Sequence, residues 1–302
     1  MNNSRWLILA LAVLILGGSP GAMGRGKEAG ERELIRSKGS DTLSVLGARW
    51  AAGYQAQTPG VTVEHVSGGS GSGVASLING HVELAASSRP LKSLEIRQIV
   101  SRSGKQPVLF LVGLDALSVV VHPLNPLHGL SLAQLEEIYG RDGEIRRWKD
   151  LGVVVPGCED QDILPVSRKN NSGTYYLLRE ILFNHQRHFR IGMATVENST
   201  AVVQRVAQTP CAIGYVGMGF VTAAVKTLCI TKEGGSCVPP TAAAALEKRY
   251  PLARPLYMVA LGPPSNTIKR YVEWILGPTG QEILKKTGFI PVPKLPGEQK
   301  PF

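Results

Sequence analysis

Apolar and polar positions along this chain fall in short blocks that switch between a period of two and a period of roughly 3.6 residues, the mark of strands alternating with helices. Leu34–Ser37 reads as a strand, followed by Gly39-Ser40-Asp41-Thr42 and an amphipathic helix with Leu43, Leu46, Trp50 and Tyr54 on one stripe. Pro59-Gly60 turns the chain into β-rich Val61–Val66; a glycine-serine loop, Ser67–Gly73, then leads to a helical run, Val74–Ile78. Val82–Ala86 is a further strand, ending in Ser87-Ser88-Arg89-Pro90, and Val108–Val112 and Ala116–Val121 are apolar strands with a bend at Gly113.

Beyond Pro123 the same alternation continues. Ser131-Leu132-Ala133-Gln134 is a capping box with Leu130 and Leu135 placed as a hydrophobic staple, and its helix ends near Tyr139-Gly140. Strands are expected at Ile163–Val166, Ala212–Val216 and Leu256–Leu261, and helices at Tyr175–Phe183, Val202–Ala207, Thr267–Leu276 and Gln281–Lys286. Ser167–Thr174 is a polar loop. No repeat or low-complexity tract interrupts this order, so the pattern predicts an α/β fold.

The first residues change the picture by assigning a compartment. Met1–Arg5 carries one positive charge, Trp6–Leu16 is unbroken apolar, and Ala22-Met23-Gly24 offers small residues where a signal peptidase reads. Residues 1–24 are therefore expected to be a signal peptide and the mature protein periplasmic; the run is shorter than the roughly 20 residues of a membrane span. No Cys follows the apolar run before Cys158, so there is no lipoprotein signal. The remainder of the 302 residues exceeds what one compact core usually holds, which suggests two domains or one large one.

A formal net charge of +10 suits an anionic partner, but the basic residues are dispersed and lack interleaved aromatics, which argues against nucleic acid. Four cysteines in an exported chain allow three disulfide connectivities; Cys229 and Cys237 flank a short stapled loop, leaving Cys158 with Cys211. His185 and His188 with these cysteines make a poor metal set, and no cofactor is expected.

The candidate chemistry lies in one local design used three times: strand, loop rich in Ser and Gly, helix. The loops are Gly39-Ser40-Asp41-Thr42, Gly68-Gly69-Ser70-Gly71-Ser72-Gly73, and Arg168-Lys169-Asn170-Asn171-Ser172-Gly173-Thr174. A helix start presents unpaired N–H groups and the positive end of the helix dipole, and Ser or Thr hydroxyls add donors. A tetrahedral oxyanion needs many such donors from several directions. Each loop alone is an ordinary cap or turn; three together, with Arg168 and Arg89, point to one anion. Enzyme signatures are missing: Ser70 and Ser72 lack a Gly-x-Ser-x-Gly elbow, Gly104-Lys105 is followed by Gln106 rather than completing a P-loop, and no His sits in the three loops. The chain is expected to bind rather than catalyse.

At these stretches, together with Ser87-Ser88-Arg89-Pro90-Leu91-Lys92 and Ala212-Ile213-Gly214-Tyr215-Val216-Gly217, the sequence resembles the phosphate-specific periplasmic binding proteins, the PstS family of the type 2 periplasmic binding fold. The likeness runs from about Leu34 to Val292. It implies two α/β lobes, each a mixed sheet flanked by helices, with the ligand in the interlobe cleft: residues 34–116 with 256–302, and residues 117–255. Ala116–Val121 and Leu256–Leu261 would be the crossing strands. It implies a monomeric extracytoplasmic receptor that captures inorganic phosphate and delivers it to the membrane permease subunits of an ABC transporter. The family's ligand positions fall on Asp41, Thr42, Ser70, Arg168, Ser172, Gly173 and Thr174; Ser40, Ser88 and Arg89 complete the expected set.

One departure matters. Some members place at Ser88 an Asp that accepts the proton of phosphate, and here that carboxylate is missing. Asp41 is the candidate substitute, against the plainer role of capping its helix. Arg89 is expected either to bind the anion or to tie the lobes together through an acid. Alternatives on the same fold are a receptor for sulfate, molybdate or tungstate, a secreted phosphatase, and an adhesin or signalling protein.

Overall fold

The computed structural model describes residues 32–184, 186–232 and 234–292; the expected signal peptide and His185 lie outside them. Where one apolar stripe was legible, the helix forms on it. In α1 (Ser44–Gln57) the residues Leu46, Trp50, Ala51 and Tyr54 are buried together beneath strands β1 (Glu33–Gly39) and β2 (Val61–Ser67). Next come α2 (Ser70–Ile78), β3 (Leu84–Ser87), α3 (Ser93–Ser103) and β4 (Pro107–Val121). The second half continues with β5 (Gly129–Ser131), α4 (Leu132–Tyr139), β6 (Leu164–Arg168), α5 (Gly173–Phe183), β7 (Ala194–Val196), α6 (Ser199–Gln208), β8 (Ala212–Gly217), β9 (Lys226–Thr231), β10 (Cys237–Val238) and α7 (Ala242–Leu246). Strand β11 (Ala253–Leu261) and helices α8 (Asn266–Leu276) and α9 (Pro278–Lys286) close the chain.

One curled sheet runs in the order β2-β1-β3-β11-β4-β8-β6-β7, with β9 also paired to β4. Strands β1, β2 and β3 are parallel to one another, while β11 is antiparallel to β3 and β4. Strand β4 holds the two halves of the sheet together. Its residues 107–116 pair with β11, whereas Leu117–Val121 pair with β8 and Val119–Val121 also with β9. The stretch read from sequence as two strands is thus one, with the irregularity at Gly113 appearing as a register shift opposite Leu256 and Tyr257. Likewise Leu256–Leu261 does not cross between halves; it pairs back along Pro107–Gly113, and the chain enters that half at Leu252–Ala253, where Leu117 N–H donates to Leu252 O at 2.9 Å.

Separate cores lie on the two halves. Trp50, Tyr54, Phe110, Met258, Tyr271 and Ile275 belong to one; Trp148, Tyr139, Phe183, Phe189 and Tyr215 belong to another. Helix α8 buries Ile268, Tyr271, Val272 and Ile275, an i, i+3, i+4, i+7 face. The capping box at Ser131 forms, with Gln134 N–H donating to Ser131 Oγ at 3.0 Å and Ser131 N–H to Gln134 Oε1 at 2.8 Å. Both disulfides pair as the spacing suggested, Cys158 with Cys211 and Cys229 with Cys237.

Two helices begin earlier than their apolar residues indicate: α2 at Ser70 and α5 at Gly173. Their first turns are small and polar, so periodicity cannot detect them, yet these turns are where the helix donors are exposed. Helix α3 was missed because its only fully buried residue is Ile99.

Candidate functional site

Strands β1, β3 and β6 end at Gly39, Ser87 and Arg168, and the loops after them converge from the two halves of the sheet. This is the crevice beyond strand carboxyl ends where open α/β sheets take ligands. Ser40, Asp41, Thr42, Ser70, Ser88, Arg89, Arg168, Ser172, Gly173 and Thr174 are all buried. Ser40 Oγ donates to Ser88 Oγ at 2.9 Å, Ser88 N–H donates to Ser70 Oγ at 3.1 Å, and the Ser70 and Ser88 hydroxyls are 3.4 Å apart. From the other half, Gly173 presses so closely that a Cβ there would run into both Ser70 Oγ and Ser88 Oγ. Thr42 Oγ1 and Thr174 Oγ1 meet at 3.3 Å. The three expected loops therefore share one site.

The helix starts are built as the loop sequences suggest. Ser172 caps α5, accepting the N–H groups of Thr174 and Tyr175 at 3.2 and 3.4 Å. Gly69 precedes α2 with φ of 92° and makes no side-chain cap, which leaves the first turn of α2 without a capping acceptor of its own. A rim contact closes over these ends: Gly71 N–H donates to Asn171 O and Asn171 Nδ2 to Gly68 O, each at 3.1 Å.

Asp41 does not cap its helix. The residue preceding its 3-10 turn, Ser40, supplies no side-chain cap, and the Asp41 carboxylate is gripped by Arg168 from the opposite half. Arg168 Nη1 donates to Asp41 Oδ2 at 2.7 Å and Nη2 to Oδ1 at 2.8 Å, while Ser199 Oγ donates to Oδ2 at 3.1 Å. Arg168 Nη2 also donates to Glu197 O at 2.7 Å. Arg168 Nε remains: it is buried and, among the described residues, has no hydrogen-bond partner. Behind it Tyr215 donates or accepts at Ser167 Oγ at 2.7 Å, and burial pushes its phenol up to about 12, so it stays neutral.

Arg89 sits in the fourth loop with its guanidinium turned away. It donates to Glu95 Oε2 at 2.8 Å and Oε1 at 2.6 Å and to Pro90 O at 2.7 Å. Glu95 lies on α3 in the same half, so this ion pair does not tie the lobes; the contact across is with the ring of Tyr176 on α5, 4.8 Å from the guanidinium carbon.

Sequence reasoning missed a second buried ion pair beside the threonines. Arg254 and Asp115 face each other across β11 and β4, with Nε to Oδ2 at 2.8 Å and Nη2 to Oδ2 at 2.7 Å, both side chains fully buried. Arg254 Nη1 donates to Thr174 Oγ1 at 2.9 Å and Nη2 to Thr42 Oγ1 at 3.1 Å. The signal was available: each charge interrupts an apolar strand run, and opposite charges buried in strands demand a partner. Ser199, the third donor to Asp41, carried no such signal.

The fold is that of a type 2 periplasmic binding protein. The PBP superfamily domain matches residues 26–279. Phosphate-binding protein PstS of Pseudomonas aeruginosa is 32% identical over 279 residues, 88% of this chain and 85% of that protein, and Protein SphX of Synechococcus elongatus is 27% identical over 87% of this chain and 79% of that protein. A Clostridium perfringens crystal structure solved with bound phosphate superposes with a TM-score of 0.75 and 26% identity, covering 86% of this chain and all of that one. The fold is shared too by an ABC-type phosphate transport receptor from Vibrio cholerae, TM-score 0.68, 23% identity, over 85% of this chain and 99% of that one. This chain belongs to the PBP superfamily and, within it, to the PstS family.

Proposed function

We propose that this protein captures inorganic phosphate outside the cytoplasmic membrane and delivers it to the membrane subunits of an ABC transporter. The observation that carries the reading is the meeting of hydroxyls and helix starts from both sheet halves, in loops that the Asp41–Arg168 pair also joins; the buried Arg168 Nε–H is a charged donor without an acceptor among the described residues. Leaving such a donor unpaired costs about 1–3 kcal/mol, which an anion oxygen would recover. Similarity to proteins named for phosphate binding supports the choice of ligand.

In this reading the lobes are residues 34–116 with 253–292, and 117–252, moving about β4. Ser40, Thr42, Ser70, Ser88, Ser172, Gly173, Thr174 and Arg168 line the cleft. Asp41 and Arg89 hold Arg168 and the Ser88 loop in place. Closure removes water and strengthens each donor's pull on the anion. The chain acts as a monomer, is exported through residues 1–24, and performs no catalysis.

Calorimetric titration of the mature chain with phosphate, sulfate and molybdate tests this. One phosphate per chain is expected; no heat with any oxyanion would refute it. A second reading, a broader oxyanion receptor, is favoured by one observation: the Asp41 carboxylate is held by Arg168 and Ser199, and Ser88 provides no carboxylate to accept the proton of phosphate. Equal affinity for sulfate would select it.

A further inference from the structure

Arg254 is fully buried on the strand beside the cleft, and its guanidinium is divided between three partners on three different elements. Asp115 on β4 takes Nε and Nη2. Thr42, from the loop after β1, and Thr174, on the first turn of α5, each accept one further N–H, at 3.1 and 2.9 Å. Asp115 is itself held, since its Oδ1 accepts Met218 N–H at 2.9 Å. An arginine so anchored cannot rotate away from the two threonines.

Proton accounting then constrains the two threonines. A hydroxyl has one proton to give and two lone pairs to receive. Because an arginine only donates, neither threonine can point its proton at Arg254. The two hydroxyls also touch each other at 3.3 Å, but one contact between them uses at most one proton. At least one hydroxyl proton must therefore be directed elsewhere, and both hydroxyls stand at the meeting of the cleft loops.

We propose that Arg254 is a positioning residue that fixes the Thr42 and Thr174 hydroxyls as donors, making this corner of the cleft selective for an unprotonated anion oxygen. The inference rests on the anion-binding reading above and adds to it which part of the ligand this corner takes. It also gives closure a chemical sense. Thr42 and Thr174 come from opposite halves of the sheet, and only their approach lets one guanidinium orient both. With Asp115 neutralising it, Arg254 contributes direction more than net charge.

The test is binding of inorganic phosphate by the intact chain, measured calorimetrically for wild type, R254K and the double variant D115N/R254Q, each alone and in T42V and T174V backgrounds. The double variant removes both buried charges, so no lone carboxylate is stranded. R254K, which keeps the charge but not the fork, decides the matter if the double variant does not fold. Both Arg254 changes are expected to weaken phosphate about tenfold or more while the thermal midpoint of R254K stays near wild type. In the T42V and T174V backgrounds the same changes should cost less than about threefold, because there is less left to orient. Undiminished affinity in R254K would overturn the proposal, as would losses that simply add across the backgrounds, which would mean that Arg254 acts independently of the two threonines. A wild-type chain that binds no oxyanion would instead refute the anion-binding reading itself.

Discussion

Asp41 and Arg168 face each other from opposite halves of the sheet in a two-pronged ion pair, both carboxylate oxygens and both terminal guanidinium nitrogens engaged at 2.7 and 2.8 Å. A pair so buried is weak evidence for stability, because removing both charges from water offsets much of their attraction. Its value is geometric: it locks the arginine that carries the unpartnered Nε and joins the halves when they are close. This gives Asp41 a partner across the cleft that its sequence position did not announce.

Asp41→Asn should therefore weaken phosphate and sulfate by the same factor. Both oxygens of Asp41 are already held by Arg168 and Ser199, so the ratio of the two affinities should stay within about twofold of wild type. Competitive titration of the two anions measures it; a ratio that moves tenfold toward sulfate would restore Asp41 as the proton acceptor.

Arg168→Ala should cost phosphate affinity at least about tenfold, roughly 1.4 kcal/mol or more. It removes a charged donor and strands Asp41 in a buried place, so the thermal midpoint should fall as well. Isothermal titration and a melting curve on the same sample report both.

Gly173→Ala offers a cleaner separation of binding from folding. The added methyl would meet Ser70 Oγ and Ser88 Oγ, which lie across the cleft rather than within the same half. Opening relieves the clash, so stability should be nearly unchanged while affinity drops about a hundredfold or more, the equivalent of some 3 kcal/mol. Small-angle scattering with and without phosphate should show that the variant no longer contracts.

His65 predicts the acid limb of stability. Packed beneath Gly47 of α1, its ring is held by burial at a pKa of about 4, against 6.5 for the free side chain. The unfolded chain therefore binds the proton first, and stability falls as pH drops from about 6.5 toward 4, by about 2 kcal/mol at pH 5 from this group alone. Urea unfolding at pH 7 and pH 5 should show a smaller loss in His65→Gln than in wild type; equal losses would assign the acid limb elsewhere.

The two disulfides should differ in weight. Cys158–Cys211 closes a separation of 53 residues and Cys229–Cys237 one of 8. By loop entropy, removing the first costs about 4 kcal/mol and the second about 2.5 kcal/mol. Paired serine variants compared by denaturant midpoint would check the order.

The alternation of elements, and with it the α/β fold, was legible along the chain, because strand and helix periods are local properties of consecutive residues. So were the three serine-glycine loops, since a helix start needs small and polar residues whatever lies opposite. Partnership across the cleft was left to tertiary structure. That Asp41 meets Arg168 across 127 residues, that Arg89 turns to Glu95 instead of the ligand, and that Arg254 reaches both Thr42 and Thr174 follow from how β4 brings two separately packed half-sheets together. Charges in separate loops carry no label for one another; only closure of the chain in space decides which carboxylate each arginine will hold, and therefore which donors remain for an anion.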